Sequence, residues 1–327
     1  MRQNRCATIQ PMVEQKVSLV TGGAGFIGSH LCDELLRRGY RVFCIDNLLT
    51  GSEDNIEQAK RNSLFTFIRY DAAHELPLLG RIDYIFHLAS PASVVDYQKY
   101  PEETALVNSI GTRNLLTVAK AHHAKFLFAS TSEVYGNPKE HPQKETYWGN
   151  VNPNGIRSCY DESKRYGEMM TVLYVRRHGV DARIVRIFNT YGPRMRKTDG
   201  RVVSNFITQA LERRPLTIYG DGKQTRSFCY VSDLVDGIMK AQFTDKTSGE
   251  VINIGNPEEY RVIDLAKKIQ LMTGTKSEIV HDSLPEDDPI QRQPDITKAK
   301  NILGWKPLIS VDVGLKKTIE YYRRITG

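Results

Sequence analysis

Tyr160 and Lys164 lie four residues apart in the segment YDESK, a spacing that places both on one face of a helix. A phenol with an ordinary pKa of about 10 is a poor base at neutral pH. A lysine ammonium one turn away, together with a second positive charge nearby, favours the phenolate, which makes Tyr160 a usable general base. The same spacing is common by chance, and an exposed surface pair is the alternative. The pair therefore needs support from other motifs.

A glycine-rich segment, TGGAGFIG at 21–28, follows a short apolar strand and leads into a helix. Gly22, Gly25 and Gly28 have the spacing that permits a tight turn and a close approach of the backbone to a pyrophosphate. The helix N-terminus then directs its free N–H groups at the phosphates. Asp46 ends the second predicted strand 18 residues after Gly28, near the spacing of about 20 expected for an acid that binds ribose hydroxyls. Because a carboxylate there repels a 2′-phosphate, the motif predicts NAD rather than NADP.

Further cofactor contacts are expected around this loop and at neighbouring strand ends. Asp71 ends the third predicted strand, where it is placed to reach the adenine; a solvated acid at a strand end is the alternative. Besides the three glycines and Asp46, the expected contacts are Phe26, Ile27, Asn47, Thr50, Gly51, Asp71, Ala72, Leu88, Ser90, Tyr160 and Lys164.

Strand-like and helix-like segments alternate in the first half of the chain. Such alternation, with near-continuously apolar strands, predicts a parallel sheet covered on both faces. The predicted strands are 16–21, 41–46, 64–69, 84–88, 125–130 and 181–186, and the predicted helices are 26–38, 101–122 and 160–178.

After residue 190 prolines and glycines interrupt the pattern, with short helices predicted near 203–212, 262–273 and 311–323. We therefore predict an α/β protein, a Rossmann-type doubly wound parallel sheet with a smaller C-terminal substrate-binding lobe. The predicted division is a tail at 1–15, an NAD-binding domain at 16–190 and a lobe at 191–327, of which segments near 225–255 return to the first domain.

The composition, with 40% hydrophobic and 25% charged residues, is typical of a globular protein. No apolar run approaches the roughly 20 residues that span a bilayer, and residues 1–16 lack the apolar centre of a signal peptide, so a cytoplasmic protein without a membrane partner is expected. Five scattered cysteines without a C-x-x-C pair argue against a disulfide framework or a metal site. The net charge of +7 suits an anionic ligand. The basic residues are dispersed and match no nucleic-acid motif, so no nucleic-acid partner is expected.

These motifs together resemble those of the extended short-chain dehydrogenases/reductases over nearly the whole chain. The shared features are TGGAGFIG, the strand end HLA at 87–89, Asn108 with Gly111-Thr112, STSE at 130–133 and the Y-x-x-x-K pair. Beside that pair, Ser132 or Thr131 is placed to donate a hydrogen bond to the reacting oxygen. For one of the two, capping of the strand end is the alternative role.

Within this family the chain is similar to decarboxylases of UDP-glucuronate. The resemblance is carried by TSEVYG (131–136), EHPQKETYWGNVN (140–152), RSCYDE (157–162), RIFNTYGPR (186–194), DGRVVSNF (199–206), QTRSFCYV (224–231) and RQPDITK (292–298). A 4,6-dehydratase of the family would carry Asp-Glu where this chain has Ser132-Glu133. The resemblance therefore implies a UDP-sugar substrate and the conversion of UDP-glucuronate to UDP-xylose.

The implied reaction is redox-neutral, so NAD should be held tightly. Tyr160 removes the proton of the sugar 4-hydroxyl while C4 gives a hydride to NAD. The resulting 4-keto acid loses carbon dioxide because its carboxylate is beta to the ketone. Tyr160 and Ser132 or Thr131 stabilise the enolate oxygen, C5 is reprotonated, and return of the hydride to C4 gives UDP-xylose.

Glu133 is implied to act in the oxidation or decarboxylation step, by ordering a water or by disfavouring the ground-state carboxylate. Beside an anionic substrate we expect its pKa to be raised; a structural acid that binds backbone amides is the alternative. Arginines suit the diphosphate because their planar fork pairs with phosphate oxygens. The expected substrate-binding residues are Arg201, Arg226 and Arg292, with Asn189 on the sugar or diphosphate and Tyr219 near the uracil. Arg292 is also a candidate for the carboxylate.

One segment departs from this pattern. Many such decarboxylases have Lys-Thr-Asn where this chain has Leu106-Val107-Asn108, so a cationic contact to the substrate is missing or supplied elsewhere. Three rival functions stay open: release of a UDP-4-keto-pentose with NADH, UDP-glucuronate 4-epimerisation, and non-catalytic NAD sensing.

A homodimer is also implied, because relatives pair through the helices predicted at 101–122 and 160–178. The candidate contacts are Leu106, Ile110, Met169 and Leu173, for which packing against the sheet is the alternative.

Overall fold

The computed structural model describes residues 15–284, 289 and 291–326, so most of the predicted tail, including Cys6, lies outside the described residues. The strands are β1 (Val17–Thr21), β2 (Arg41–Asp46), β3 (Phe65–Arg69), β4 (Tyr84–His87), β5 (Lys125–Thr131), β6 (Ala182–Ile187), β7 (Thr190–Tyr191), β8 (Leu216–Tyr219), β9 (Thr225–Ser227), β10 (Cys229–Tyr230), β11 (Val251–Ile254), β12 (Glu259–Arg261), β13 (Ile279–Asp282) and β14 (Gln291–Arg292). The α-helices are α1 (Phe26–Arg37), α2 (Val94–Lys99), α3 (Pro101–Leu106), α4 (Thr112–His122), α5 (Ser158–His178), α6 (Val202–Leu211), α7 (Val231–Phe243), α8 (Val262–Thr273), α9 (Thr297–Leu303) and α10 (Val311–Thr326).

A seven-stranded parallel sheet forms the centre of the described structure, in the order β3-β2-β1-β4-β5-β6-β11. Its strands are apolar on both faces because helices cover both. Leu127 and Val185 belong to the core cluster on the side of α1 and α7, whereas Phe128 and Ile184 belong to the cluster on the side of α4 and α5. The predicted doubly wound Rossmann-type fold is confirmed. The strand order reverses between β1 and β4, where such sheets bind ligands at the carboxyl ends of the strands.

Two segments from late in the chain complete this sheet. β11 pairs with β6 along four residues, from Val251 opposite Ile184 to Ile254 opposite Ile187. α7 packs against α1 on one face of the sheet. α9 packs against β11 and α7. Most of the other late elements form the second lobe, in which α6, α8 and α10 pack together beside the β8–β13 pair and the small β12-β9-β14 sheet.

The predicted helix over 101–122 is wrong as a continuous α-helix, because a π-helical turn at Val107–Gly111 separates α3 from α4. Side chains accommodate the altered backbone bonding of this turn. The Thr112 hydroxyl donates to the Asn108 carbonyl at 2.7 Å, and a Cβ on Gly111 would lie only 3.1 Å from the Ala72 carbonyl oxygen. Helical periodicity over the segment does not reveal these contacts.

Other differences are small. α2 was not predicted, and α5 begins at Ser158 rather than at Tyr160, although it ends at Gly179 in the left-handed conformation as its glycine indicates. Among the described helices, none is both long enough and apolar enough to cross a membrane.

Candidate active site

A cleft of about 690 Å³ opens at the carboxyl ends of the central strands and is lined by residues of both the sheet and the second lobe. All the sequence-predicted catalytic, cofactor and substrate residues line it, with the exception of Gly51. The fold therefore brings together, in one cleft, residues as far apart in the sequence as Gly22 and Arg292.

The glycine loop lies between β1 and α1 and needs its glycines for steric reasons. Gly22 has a φ of +73°, and a Cβ there would lie 2.7 Å from the backbone of Ala89. A Cβ on Gly28 would lie 2.0 Å from the carbonyl oxygen of Gly22. α1 begins at Phe26, directly after the loop, so its free N–H groups face the cleft. This cradle fits the pyrophosphate of NAD.

Asp46 is buried at the end of β2 and held by the backbone. Its Oδ1 accepts a hydrogen bond from the Leu48 N–H at 2.8 Å and its Oδ2 one from the Ala24 N–H at 3.0 Å. Burial raises the pKa of the carboxyl, and these hydrogen bonds offset the rise only in part. Gly51 does not line the cleft but lies behind Asp46, where a Cβ would be 2.9 Å from Oδ1. Gly51 therefore makes room for the acid.

Tyr160 and Lys164 are both buried on α5. The Lys164 ammonium lies 5.8 Å from the centre of the Tyr160 ring and donates to the Ala129 carbonyl at 2.8 Å. Burial lowers the pKa of Lys164 to about 7. Burial also raises the pKa of Tyr160, and the Thr131 hydroxyl offsets this only in part. The lysine alone therefore does not produce the expected phenolate, which needs further positive charge in the cleft.

Glu133 lies in a short turn after β5 and forms ion pairs with two arginines. Arg157 Nη2 donates to one carboxylate oxygen at 2.6 Å, and Arg292 Nη1 pairs with the other. Burial alone raises the pKa of Glu133, but the two guanidinium groups outweigh burial and hold it well below its usual value. The prediction of a raised pKa is wrong because it counted the substrate anion and missed both arginines. Within the described part of the chain this carboxylate pairs with arginine side chains rather than with backbone amides.

The three arginines predicted to bind substrate also have protein partners. Arg201 forms a two-pronged pair with Asp199, at 2.5 and 2.8 Å. Arg226 Nη2 donates to the carbonyl of Pro289 at 2.5 Å, and Arg292 Nη2 donates to that of Gly136 at 2.9 Å. These contacts fix the guanidinium groups before an anion arrives.

Sequence reasoning missed two residues that line this site, Arg157 and Tyr97, and one beside it, Asp161. Arg157 precedes Tyr160 by one helical turn, a spacing that could have suggested it. Tyr97 on α2 stacks on the Tyr160 ring with centroids 5.1 Å apart and planes within 5°, and no local pattern predicts this contact. Asp161 is buried, and burial and the nearby Glu133 raise its pKa to about 8. Its Oδ1 has no hydrogen-bond partner among the described residues.

In the segment that departs from the decarboxylase pattern, Leu106 and Val107 differ in their position relative to the cleft. Val107 lines the cleft, whereas Leu106 lies on α3 with 36% of its surface exposed and does not line it. Other residues bring positive charge to the cleft, among them Arg157 and Arg292.

The fold and the cleft define a nucleotide-binding oxidoreductase-type enzyme. Comparison with known proteins identifies the family. Residues 18–255 match the model of the NAD dependent epimerase/dehydratase family, to which the chain belongs. The chain is 51% identical over 309 residues to UDP-glucuronic acid decarboxylase 4 of Arabidopsis thaliana, covering 94% of this chain and 68% of that protein. It is 49% identical over 311 residues to UDP-glucuronic acid decarboxylase 1 of Xenopus tropicalis, covering 95% of this chain and 73% of the relative.

Solved structures show the same fold. The UDP-glucose 4-epimerase of Thermotoga maritima, solved with UDP-glucose, superposes with a TM-score of 0.88 at 35% identity, covering 95% of this chain and 100% of that one. The UDP-glucuronic acid 4-epimerase of Bacillus cereus, solved with UDP-glucuronic acid and NAD, gives a TM-score of 0.85 at 34% identity, covering 94% and 99%.

Proposed function

We propose that this protein is an NAD-dependent UDP-glucuronate decarboxylase that forms UDP-xylose and carbon dioxide. The observation that carries the proposal is the meeting, in one cleft, of the glycine loop, the Tyr160–Lys164 pair and the Glu133–Arg292 pair. Relatives about half identical to this chain and named UDP-glucuronic acid decarboxylases support it.

Tyr160 is the proposed general base, which removes the proton of the sugar 4-hydroxyl and later returns it. The glycine loop and Asp46 would hold NAD, which would supply reversible hydride-transfer chemistry at C4. Lys164, buried beside the phenol, helps to keep the negative charge on Tyr160 low in energy. Tyr97 holds the ring by stacking on it.

Loss of carbon dioxide follows from the 4-ketone, because the electrons of the breaking bond flow into an enolate. A proton taken up from water then protonates C5 and restores the ketone before C4 is reduced. Thr131 and Ser132, at the end of β5, are the proposed donors to the enolate oxygen. Glu133 is proposed to act as the anion that holds Arg157 and Arg292 in place. The two arginines then keep positive charge where the substrate carboxylate and its developing enolate lie.

Arg292 is assigned to the sugar end of the substrate because it contacts Glu133 and approaches the Ser132 hydroxyl at 3.5 Å. Arg201 and Arg226 are assigned to the diphosphate, Asn189 to the sugar or diphosphate, and Tyr219, 42% exposed at the end of β8, to the uracil. The expected NAD contacts along the glycine loop, Asp46 and the strand ends are part of the same proposal.

A homodimer is proposed through the exposed face of α3, the π turn and α5. Leu106, Ile110, Met169 and Leu173 are between 36% and 48% exposed, so they do not pack against their own sheet. Exposed apolar side chains along neighbouring helices are typical of an interface between subunits. A cytoplasmic location and the division at residue 190 are proposed as the sequence suggests.

Incubation of the purified protein with UDP-glucuronate and NAD tests the function. Carbon dioxide with UDP-xylose is the expected result. Stoichiometric NADH with a UDP-4-keto-pentose would replace the proposal by the oxidative rival, and UDP-galacturonate would replace it by the epimerase. NAD binding without any product would favour the rival function of a non-catalytic NAD sensor.

A further inference from the structure

His87 is a buried histidine that the proposed reaction does not use. It ends β4, it is 1% exposed, and it lies between the glycine loop and the π turn. Its Nδ1 is 2.8 Å from the hydroxyl of Thr21, the residue just before Gly22. Its Nε2 is 3.2 Å from the carbonyl oxygen of Val107, the first residue of the π turn. One ring thus joins two elements that line the cleft.

The two contacts and the burial of His87 together determine the protonation of the ring. A carbonyl oxygen only accepts, so Nε2 must carry the hydrogen that reaches Val107. Burial, with the nearby Lys164 ammonium, lowers the pKa of His87 to about 3, so the ring is neutral and Nδ1 carries no hydrogen. The Thr21 hydroxyl must then be the donor to Nδ1. The hydrogen bonds therefore run in one direction, from Thr21 through His87 to Val107.

The π turn that His87 holds has a direct connection to the catalytic helix. Asn108 is fully buried, and its amide nitrogen donates to the Ser163 hydroxyl at 3.1 Å and to the Ser90 hydroxyl at 3.0 Å. Ser163 lies between Tyr160 and Lys164 on α5 and donates to the Tyr160 carbonyl at 3.1 Å. π turns inside helices are frequent at functional sites because they redirect side chains.

We propose that His87, as a neutral imidazole protonated on Nε2, is a positioning residue that sets the distance between the glycine loop and the helix carrying Tyr160 and Lys164. It does so by holding the carbonyl of Val107, and with it the π turn and Asn108. This inference deepens the proposed function, and its kinetic test rests on that function, whereas its spectroscopic test does not.

The spectroscopic test measures the tautomer. Long-range ¹H–¹⁵N correlation of the ¹⁵N-histidine-labelled protein, with His87→Gln to assign the signals, should show His87 neutral and protonated on Nε2 at pH 7. Thr21→Val should keep this tautomer and shift the Nδ1 resonance, because the hydroxyl that donates to Nδ1 is gone. A ring protonated on Nδ1, or a charged ring, would overturn the proposal even if the protein had no decarboxylase activity.

The kinetic test compares two amide replacements of His87. In His87→Gln the amide nitrogen reaches roughly to the place of Nε2 and keeps the donor to Val107. In His87→Asn the shorter amide reaches only the place of Nδ1. Because small misplacements of catalytic groups reduce turnover, we expect kcat to fall about tenfold in the Asn variant, with KM for UDP-glucuronate within about twofold, and to stay within about threefold in the Gln variant.

Thr247→Val is the matched control, since it removes a buried hydroxyl that donates to the Ala241 carbonyl at 2.8 Å. Thr247 lies just before β11 in the sequence and does not line the cleft. It should lower the melting temperature and leave kcat within about twofold. Equal kcat values for the Gln and Asn variants would show that the bond to Val107 positions nothing. If the wild-type protein does not turn over UDP-glucuronate, the proposed function fails. The proposal for His87 is then tested by the measured tautomer of its ring alone.

Discussion

Tyr160 is held by neighbours that come from three elements. Tyr97 of α2 stacks on its ring, Lys164 lies one turn further along α5, and Thr131 at the end of β5 faces its hydroxyl. Burial raises the pKa of the phenol, so its reactivity as a base depends on charge placed in the cleft. The residue is therefore poised to transfer a proton only in a loaded site.

Replacement of Tyr160 tests this role directly. Tyr160→Phe keeps the buried ring and its stacking but removes the proton-transfer group, so UDP-xylose formation should fall by about 10²–10⁴-fold. NAD retention, measured from the cofactor that co-purifies, should fall much less than turnover, because the expected contacts at the glycine loop and Asp46 remain. Unchanged turnover in the Phe variant would rule out the proton-transfer role.

Glu133 offers a stability prediction because its single carboxylate pairs with two buried guanidinium groups. Glu133→Gln removes the carboxylate charge that pairs with Arg157 and Arg292, and we expect the free energy of unfolding at pH 7 to fall by about 3 kcal/mol. Urea denaturation measures the change. Glu34→Gln is the matched control, since Glu34 also pairs with two arginines, Arg37 and Arg38, but on the surface, and should cost less than about 1 kcal/mol.

The same carboxylate predicts a pH dependence. The pKa of Glu133 is depressed in the folded protein, so its stabilisation is complete above the unfolded pKa of about 4.3 and is lost as the pH falls through the folded value. The difference in unfolding free energy between wild type and Glu133→Gln should therefore shrink below about pH 4. A difference that stays constant down to acid unfolding would contradict the ion-pair assignment.

Residues that act through a local pattern were found from the sequence. The spacing of Gly22, Gly25 and Gly28, and that of Tyr160 and Lys164, follows from a turn and a helix. Contacts between distant parts of the chain were not predicted from the sequence. The stacking of the Tyr97 ring on the Tyr160 ring is an example. For the same reason the sign of the Glu133 pKa shift was wrong, since Arg292 lies 159 residues away in sequence.

At the scale of elements, the strands of the central sheet were predicted within about two residues because a strand buried on both faces is apolar throughout. The helix over 101–122 was only partly right. Its π turn depends on tertiary contacts, with His87 at the Val107 carbonyl and Ala72 against Gly111. These partners come from other segments, so helical periodicity carries no trace of them.

The strand that carries Arg292 is held by a loop, and this hold can be tested. The buried side chain of Gln143 accepts from the Gln293 N–H at 2.8 Å, and its backbone N–H donates to the Gln293 carbonyl at 2.9 Å. Gln143→Ala removes the side-chain acceptor and leaves the Gln293 N–H unpaired. The neighbouring Arg292 should then lose its position, and KM for UDP-glucuronate should rise about tenfold.

NAD retention should stay unchanged in Gln143→Ala, because the glycine loop is not involved. Gln242→Ala is the control, since this buried glutamine donates to the Lys125 carbonyl at 2.9 Å, at the amino end of β5. It should lower the melting temperature without a change in KM. Equal rises of KM in both variants would show that general destabilisation, not the hold on Arg292, is responsible.

At the scale of the whole molecule, the exposed apolar face of α3, the π turn and α5 predicts a dimer. Met169→Lys places a charge in the centre of this face, so light scattering at micromolar concentration should give the mass of a dimer for the wild type and of a monomer for the variant. Leu271→Lys, at an 84% exposed leucine of α8, should remain dimeric. A monomeric wild type would reject the proposed interface.

The late arrival of β11 has a consequence for synthesis. While the ribosome is still translating residues beyond β6, the side of β6 that later pairs with β11 is a free row of backbone donors and acceptors. The nascent chain must therefore complete much of the second lobe before its nucleotide-binding half is sealed. Premature termination between β6 and β11 should accordingly yield aggregating fragments rather than a small autonomous unit.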